Sequence, residues 1–184
     1  PTSDVTARCI GFLGKYGKQA HQNAVYRGVS FLLREQEANG AWFGRWGTNY
    51  IYGTWSVLEA MQLAKQDMKH TAVRRAVQWL KSVQREDGGW GESNDSYLDP
   101  KLAELETSTA FQTAWALLGL MAAGEVKSES VRRGINYLLS AQSSNHLWEE
   151  PWFTAPGFPR VFYLRYHGYS KFFPIWALAR YRRL

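Results

Sequence analysis

The sequence of 184 residues contains a single cysteine, Cys9. One thiol cannot form a disulfide within the chain, and it cannot supply the several cysteine ligands of a structural zinc site. No stretch reaches the about 18 apolar residues that a membrane-spanning helix needs, so any membrane contact is expected to be monotopic. No low-complexity run or flexible linker divides the chain. We therefore expect residues 1–184 to be one folded unit, or one contiguous part of a larger one.

Long basic blocks are also missing, although the formal net charge is +6. The largest basic group is the short set Arg180, Arg182 and Arg183, which is no nucleic-acid-binding signature. A solvated basic surface, or a basic rim against anionic lipid, fits this charge better than a nucleic-acid partner does. The histidines have no consistent ligand spacing, and the acidic residues of the loop at 92–99 are too sparse for a hard metal ion. The sequence predicts no metal and no cofactor.

Aromatic residues, in contrast, are abundant. Nine Trp, ten Tyr and nine Phe make up 15% of the chain. A core of this size needs far less ring surface, and rings left over from packing commonly line a ligand cavity. The composition therefore predicts an aromatic pocket.

One pattern occurs three times, at residues 27–42, 75–90 and 133–148. Each copy has an arginine, a small residue, an aromatic and an aliphatic at fixed offsets, and a Gln six residues before a Trp. The three pairs are Gln36 and Trp42, Gln84 and Trp90, and Gln142 and Trp148. Each copy predicts a helix of about three turns that ends near its Gln. We interpret these Gln and Trp residues as structural.

The turns after these helices follow from the same pattern. Gly40 and Gly88 can adopt the positive φ of a helix C-terminus, whereas the third copy has Asn145 and His146 at that place. The Trp is expected to fold back over the helix end. The Gln amide is expected to be buried, to bond free N–H groups of the next helix and to carry the indole stacked on it, which would staple successive helix pairs together.

Helices of two kinds alternate along the chain. Residues 107–124 are apolar nearly all round, and residues 50–64 form a second such segment, whereas residues 71–84 are amphipathic. This alternation predicts an all-α fold of tandem helix pairs, about half of an α/α barrel, with inner helices ringed by outer ones. An isolated half-barrel is expected to expose the apolar faces of helices 50–64 and 107–124 and so to form a homo-oligomer.

The three repeats resemble the Gln-Trp repeats of the squalene and oxidosqualene cyclases. Residues 4–8, 42–55, 89–93, 112–117 and 157–167 are more specific and look like the bacterial squalene–hopene branch. The resemblance covers essentially the whole chain. It implies that residues 1–184 are the C-terminal part of the catalytic α/α-barrel domain of a squalene–hopene cyclase, an isomerase on the cytoplasmic side of a bacterial membrane.

In that family an Asp-x-Asp-Asp motif protonates squalene, and the polyene then closes ring by ring through carbocations to hopene or hopanol. The motif is absent from this chain. In the family it lies upstream of the stretch matched by residues 4–7, so the chain is expected to begin just after the acid and to be inactive alone. The implied partners are squalene or a similar isoprenoid, the remainder of the cyclase chain and a membrane surface.

The resemblance also implies roles for single residues. Asp4 and Arg8 match positions that support the acid, and a surface ion pair one helical turn apart is the alternative. Phe158 and Phe162 match positions that steady later cations, and Tyr166 and Tyr169 match positions near the first rings and the acid. The whole predicted cavity wall is Trp46, Tyr52, Phe158, Phe162, Tyr163, Leu164, Tyr166 and Tyr169. These rings are expected to face one shared, dry cavity, and ordinary core packing is the alternative for each.

Other functions stay open at this point. The chain could be a noncatalytic isoprenoid-binding or self-assembling half-barrel, since it lacks the acid. A prenyltransferase β subunit shares repeated helix pairs but needs cysteine and histidine zinc ligands. A carbohydrate-active barrel needs a placed pair of carboxylates, and no inward pair can be nominated.

Overall fold

A computed structural model describes the backbone of residues 1–184 and every side chain except those of residues 102, 104–106 and 155. The helices are α1 (Ser3–Tyr16), α2 (Gln22–Arg34), α3 (Tyr50–Leu63), α4 (Thr71–Ser82), α5 (Ala110–Ala122), α6 (Glu129–Ser140) and α7 (Tyr169–Arg183). The strands are β1 (Trp90–Glu92), β2 (Glu104–Thr109), β3 (Ala155–Phe158) and β4 (Phe162–Leu164). No helix among the described residues is long and apolar enough to cross a membrane.

The helices form two layers. Helices α1, α3, α5 and α7 pack side by side in that order, while α2 lies against α1, α6 against α5, and α4 against both α3 and α5. The layers follow from the apolar patterns: every residue of α5 is buried, whereas α4 buries one stripe that includes Val73, Val77 and Leu80. The predicted alternation of buried and amphipathic helices is confirmed, as is the partial α/α architecture.

The exposed apolar surface lies elsewhere than predicted. We expected α3 and α5 to expose their apolar faces, but their flanks are covered by α1, α7 and the outer layer, so this prediction is wrong. The exposed large apolar side chains on helices lie instead mainly on α1 and α7, the two ends of the inner layer. They include Phe12, Tyr16, Phe172, Ile175 and Trp176.

Two short antiparallel strand pairs interrupt the helices, β1 with β2 and β3 with β4. No alternating pattern predicted them, because each strand is only three to six residues long and each pair contains a register irregularity. The β3–β4 hairpin is relevant to the site because it carries four of the residues predicted to line the cavity.

The turns of the repeats have the predicted geometry. Gly40 and Gly88 have φ of 98° and 88°, and His146 has φ of 60°. Each Trp folds back over its helix, and its indole N–H donates to a carbonyl oxygen in the last turn: Trp42 to Leu32 at 2.7 Å, Trp90 to Leu80 at 2.8 Å and Trp148 to Leu138 at 2.9 Å. The indole thus satisfies a carbonyl that the end of the helix would otherwise leave unpaired.

The bonding of the Gln residues differs from the prediction. All three are half-buried rather than buried, and their Nε2 groups donate to carbonyl oxygens rather than accepting from N–H groups. Gln36 donates to Ala72 in the first turn of α4, and Gln84 donates to Ser130 in the first turn of α6. One N–H group in each of these first turns already has a side-chain acceptor, since His70 accepts from Ala72 and Ser128 accepts from Val131. At two junctions a Gln side chain therefore links successive helix pairs as predicted, but it acts as the hydrogen-bond donor rather than the acceptor.

Candidate functional site

A cluster of packed rings joins three inner helices. Trp55 on α3 and Trp115 on α5 are both buried and stack with centroids 5.9 Å apart and planes 7° from parallel. Tyr52 lies 5.0 Å from Trp115, one turn before Trp55 on the same helix. Tyr169 and Phe173 on α7 approach Trp115 edge-on at 5.9 and 5.3 Å. Such offset and edge-on contacts are the favoured geometries of aromatic pairs.

Arg8 lies over this cluster from α1. Its guanidinium carbon is 4.2 Å from the centroid of the Trp55 ring and 5.6 Å from that of Tyr52. Contacts of this kind are worth about 0.5 to 2 kcal/mol, depending on how far the cation is desolvated. A cation held on ring faces leaves its N–H groups available to an anion. Arg8 can therefore act on an anion through its positive charge but not through proton transfer, since an arginine does not exchange its proton at neutral pH.

Asp4 is fully buried and does not form the surface ion pair that was the alternative for it. Its Oδ1 accepts from the Thr2 hydroxyl at 2.5 Å and from the Val5 N–H at 2.9 Å. Its Oδ2 accepts from the backbone N–H of Trp46 at 2.7 Å. The residue therefore fixes the loop that carries Trp46 against the start of α1.

Tyr166 and Tyr169 extend the cluster toward solvent. Their rings stack at 5.0 Å, and both line a pocket of about 510 Å³ together with Glu150, Arg165 and His167. Burial, and to a smaller extent the neighbouring tyrosines, raises the pKa of the Tyr169 hydroxyl to about 12, although Arg8 acts in the opposite direction. The phenol thus stays neutral, and its ring face carries no reactive phenolate.

The other predicted wall residues lie in separate places. Phe158 and Phe162 meet across the β3–β4 hairpin with centroids 5.5 Å apart, and Leu164 follows on β4. Tyr163 turns away and stacks on Tyr97 at 6.2 Å. Trp46 lies under the Arg45 guanidinium, whose carbon is 4.3 Å from its centroid.

The structure thus brings Arg8, Tyr52, Tyr166 and Tyr169 together but does not gather all eight wall residues around one enclosed space. Trp46, Phe158, Phe162 and Tyr166 are 47%, 58%, 44% and 53% exposed. Phe158, Phe162 and Trp46 are not among the residues that line the pocket beside Tyr166. A single closed cavity is therefore not formed by the described part of this chain on its own, and the role of each ring stays a prediction.

Two glutamates that cap helices, the buried Glu92 and the half-buried Glu150, were not predicted, although each stands two residues after a repeat Trp. The two carboxylate oxygens of Glu92 together accept three hydrogen bonds, from three backbone N–H groups at the start of α3, at 3.0 to 3.3 Å. Glu150 accepts from the Ala110 N–H at the start of α5, and its other oxygen is buried without a partner among the described residues. Desolvation raises the pKa of both carboxyls against these bonds, that of Glu150 to about 7. The Trp-x-Glu spacing was the signal available in the sequence.

Comparison with known proteins gives consistent matches. The family model described as the squalene-hopene cyclase C-terminal domain matches residues 1–183. A probable squalene–hopene cyclase of Sinorhizobium fredii is 60% identical, and a squalene–hopene cyclase of Zymomonas mobilis is 57% identical. Each match covers all of this chain but only 29% and 28% of the relative. The chain thus spans less than a third of the length of these relatives.

A solved structure supports the fold independently. The ent-copalyl diphosphate synthase of Streptomyces platensis aligns with a TM-score of 0.62 at 20% identity, over 78% of this chain and 27% of that one. At this identity the likeness concerns the helical architecture alone.

Proposed function

Because this chain belongs to the squalene–hopene cyclase C-terminal domain family, we propose that it supplies part of the aromatic wall of a squalene cyclisation cavity. The complete enzyme would protonate squalene with an acid outside these residues and release hopene or hopanol. This chain would bind the polyene and stabilise its cations. It would need no cofactor for this role.

The chemistry explains why rings rather than polar groups are needed. A migrating carbocation is quenched by a nearby base or nucleophile, whereas the face of a ring offers negative charge density without a reactive lone pair. Each desolvated ring contact is worth about 0.5 to 2 kcal/mol. Several fixed rings in a dry site can lower successive cationic barriers without reorganising during the reaction.

The observation that carries the proposal is the separation of two ring sets. Tyr166 and Tyr169, assigned by resemblance to the first rings and the acid, lie beside Arg8 and the inner helices. Phe158 and Phe162, assigned to later cations, form their own pair on the hairpin. Two separated sets suit a substrate whose positive centre moves along its length.

Arg8 and Asp4 would act by positioning. The Arg8 guanidinium, held on Trp55 and Tyr52, would stabilise the conjugate base of the acid by charge alone. Asp4 would hold Trp46 in place through the backbone N–H that it accepts from.

The direct test compares Phe158→Ala with Phe12→Ala in the full-length polypeptide that contains this chain. Both rings are more than half exposed, but only Phe158 belongs to the predicted wall, and Phe12 lies on α1 outside the pocket beside Tyr166. With squalene as substrate, we expect Phe158→Ala to shift the products toward incompletely cyclised hydrocarbons in mass spectrometry, and Phe12→Ala to leave them unchanged. Tyr166→Ala should stop the reaction at an earlier stage than Phe158→Ala. Unchanged products in both wall variants would refute the proposal.

The alternative is a noncatalytic isoprenoid-binding half-barrel, favoured by the absent acid motif. Incubation of the 184-residue chain with squalene, alone and together with the upstream segment, distinguishes the two. We expect hopene only with the upstream segment. Binding of squalene without hopene in both incubations would favour the alternative, and hopene from the chain alone would refute the placement of the acid outside it.

We further propose peripheral contact with the cytoplasmic face of a bacterial membrane, and self-association of the chain. Phe172 and Ile175 on α7 are more than half exposed, and Arg182 and Arg183 follow on the same helix. An apolar surface beside cationic residues fits a monotopic contact with anionic lipid. Flotation with vesicles containing anionic lipid should recover the chain, and Phe172→Ser should weaken that recovery. Sedimentation velocity should show species larger than a monomer.

A further inference from the structure

The arginine that begins each repeat has the same task at both junctions between repeats. Arg75, in the second repeat, donates to the carbonyl oxygens of Glu37 and Ala38 in the first, at 3.0 and 2.8 Å. Arg133, in the third repeat, donates to the two corresponding oxygens of the second, those of residues 85 and 86, at 2.7 and 2.8 Å. Each arginine thus binds the loop of the preceding repeat.

Two residues of that loop, a Gln and a glycine, also contact the helix that carries the arginine. Its Gln donates to the carbonyl three residues before the arginine, Ala72 for Gln36 and Ser130 for Gln84, at 2.8 and 2.9 Å. Its glycine then lies so close that an added Cβ would stand 2.8 Å from the Arg75 oxygen at Gly40. At Gly88 it would stand 2.7 Å from the Arg133 oxygen. The surface formed by the arginine, its own carbonyl and the carbonyl three residues before it, here called the arginine edge, therefore accepts a loop in which a Gln is followed four residues later by Gly.

The first repeat presents the same edge without an occupant. Arg27 is exposed, and its guanidinium forms no hydrogen bond or ion pair with any side chain or carbonyl that the structure describes. The corresponding carbonyl is that of Ala24, which is half-buried in the same helix. Since a carbonyl oxygen has two lone pairs, it can accept a side-chain bond in addition to its helical bond, as Ala72 does. We infer that Arg27 and the Ala24 carbonyl form a docking site for a further loop of the Gln-x-x-x-Gly pattern.

The occupant is a segment of the longer polypeptide rather than a second copy of this chain. The loop of the third repeat, whose Gln142 donates to its own loop and to no later helix among the described residues, carries His146 where the other two loops carry glycine. A histidine Cβ at that place would meet the arginine carbonyl at less than contact distance, as the two glycine positions show. The relatives are more than three times as long as this chain, which leaves ample sequence for a further glycine-bearing loop.

The inference goes beyond the proposed function, because it concerns how the chain joins the rest of the protein and involves no chemistry. An ordinary solvated arginine is the competing explanation for Arg27. The two differ in one respect. A docked arginine contributes to stability only where the rest of the protein is present.

The experiment uses three variants, Arg27→Ala, Arg75→Ala and Arg74→Ala, each in the full-length polypeptide and in the 184-residue chain. Arg74 is the matched control, since it is exposed on α4 beside Arg75 and its side chain makes no bond among the described residues. Thermal midpoints report stability, and hydrogen–deuterium exchange of residues 22–28 reports the site itself.

In the full-length protein we expect Arg27→Ala and Arg75→Ala to lower the thermal midpoint by amounts that agree within a factor of two. Arg27→Ala should also speed hydrogen–deuterium exchange in residues 22–28. In the 184-residue chain it should behave as Arg74→Ala does. Should Arg27→Ala prevent folding of the full-length protein, Arg27→Lys is expected to fold with a smaller loss, because one ammonium replaces the two-pronged donor. An Arg27→Ala loss that matches Arg74→Ala in the full-length protein, or that is equally large in the 184-residue chain, would overturn the inference.

Discussion

The first two repeats and the third repeat are built from the same pattern but satisfy their polar groups to different degrees. Gln36 and Gln84 each donate to two carbonyls, whereas Gln142 donates to one, that of His146. The Glu92 carboxylate receives three backbone N–H groups, whereas one oxygen of Glu150 has no partner among the described residues.

The rings follow the same division. Those anchored between the repeats, such as Trp55 and Trp115, are buried. Those that follow the third repeat, such as Phe158 and Phe162, are half-exposed on a short hairpin. The Gln and Glu side chains of the first two repeats thus have more hydrogen-bond partners than those of residues 142–168, although the buried Nε1 groups of Trp55 and Trp115 have none among the described residues. Most of the predicted substrate contacts lie in residues 142–168, and four of these side chains, Phe158, Phe162, Leu164 and Tyr166, are 43% to 58% exposed.

The largest expected effect separates the rings of the two regions. Trp115 packs against rings from two other helices, α3 and α7, so Trp115→Ala should remove about 3 to 5 kcal/mol from the free energy of unfolding. Phe158→Ala should remove less than about 1 kcal/mol in the 184-residue chain, because most of its ring is already in water. Urea denaturation followed by circular dichroism measures both. Similar losses in the two variants would show that the hairpin belongs to the packed core.

The two capping glutamates predict a pH dependence. Burial raises the folded-state pKa of Glu150 from its usual 4.5 to about 7, so the native state holds a proton that the unfolded chain releases. The stabilisation is complete below pH 4.5 and is lost as the pH rises through 7, with a total of about 3 kcal/mol. Glu92 shifts in the same direction.

Glu150→Gln should flatten this dependence, because an amide oxygen can still accept from Ala110 but carries no proton to lose. Glu149→Gln is the control, since Glu149 is an exposed neighbour. Denaturation midpoints at pH 5 and pH 8 measure the difference. A wild-type chain that becomes more stable at pH 8 would contradict the assigned burial of this carboxyl.

Sequence patterns sufficed where one local rule governs the structure. Glycine at a positive φ and a fully apolar helix predicted the turns at Gly40 and Gly88 and the buried α5. Sequence patterns failed where the hydrogen-bond partner of a side chain is distant in sequence. Besides a carbonyl of its own loop, each of Gln36 and Gln84 donates to a carbonyl of a later helix, and no local pattern reports that partner.

The candidate site shows the same limit. The β3–β4 hairpin is too short to have a periodic signature, and the separation of Phe158 from Tyr166 depends on where it lies. The resemblance could therefore name the wall residues but could not say which of them meet within this chain.

The turns give the next contrast. Gly88→Ala places a side chain at positive φ against the Arg133 carbonyl, so it should cost about 2 kcal/mol of stability. His146→Gly relieves a non-glycine residue of the same conformation and should raise stability by about 0.5 kcal/mol. Thermal denaturation of both variants gives the comparison. A loss of stability in His146→Gly would mean that the imidazole has a partner that compensates for its backbone.

The smallest contrast concerns the Gln amides themselves. Gln84→Ala removes two bonds and leaves the Gly88 and Ser130 carbonyls without their side-chain donor, so a loss of about 1 to 2 kcal/mol is expected. Gln142→Ala removes one bond, to a carbonyl of the exposed His146, where water replaces the donor, and should cost less than about 0.5 kcal/mol. Urea denaturation of the 184-residue chain resolves the two. Equal losses would mean that Gln142 already binds a second group and that the third repeat is as complete as the other two, which would remove the distinction between the regions.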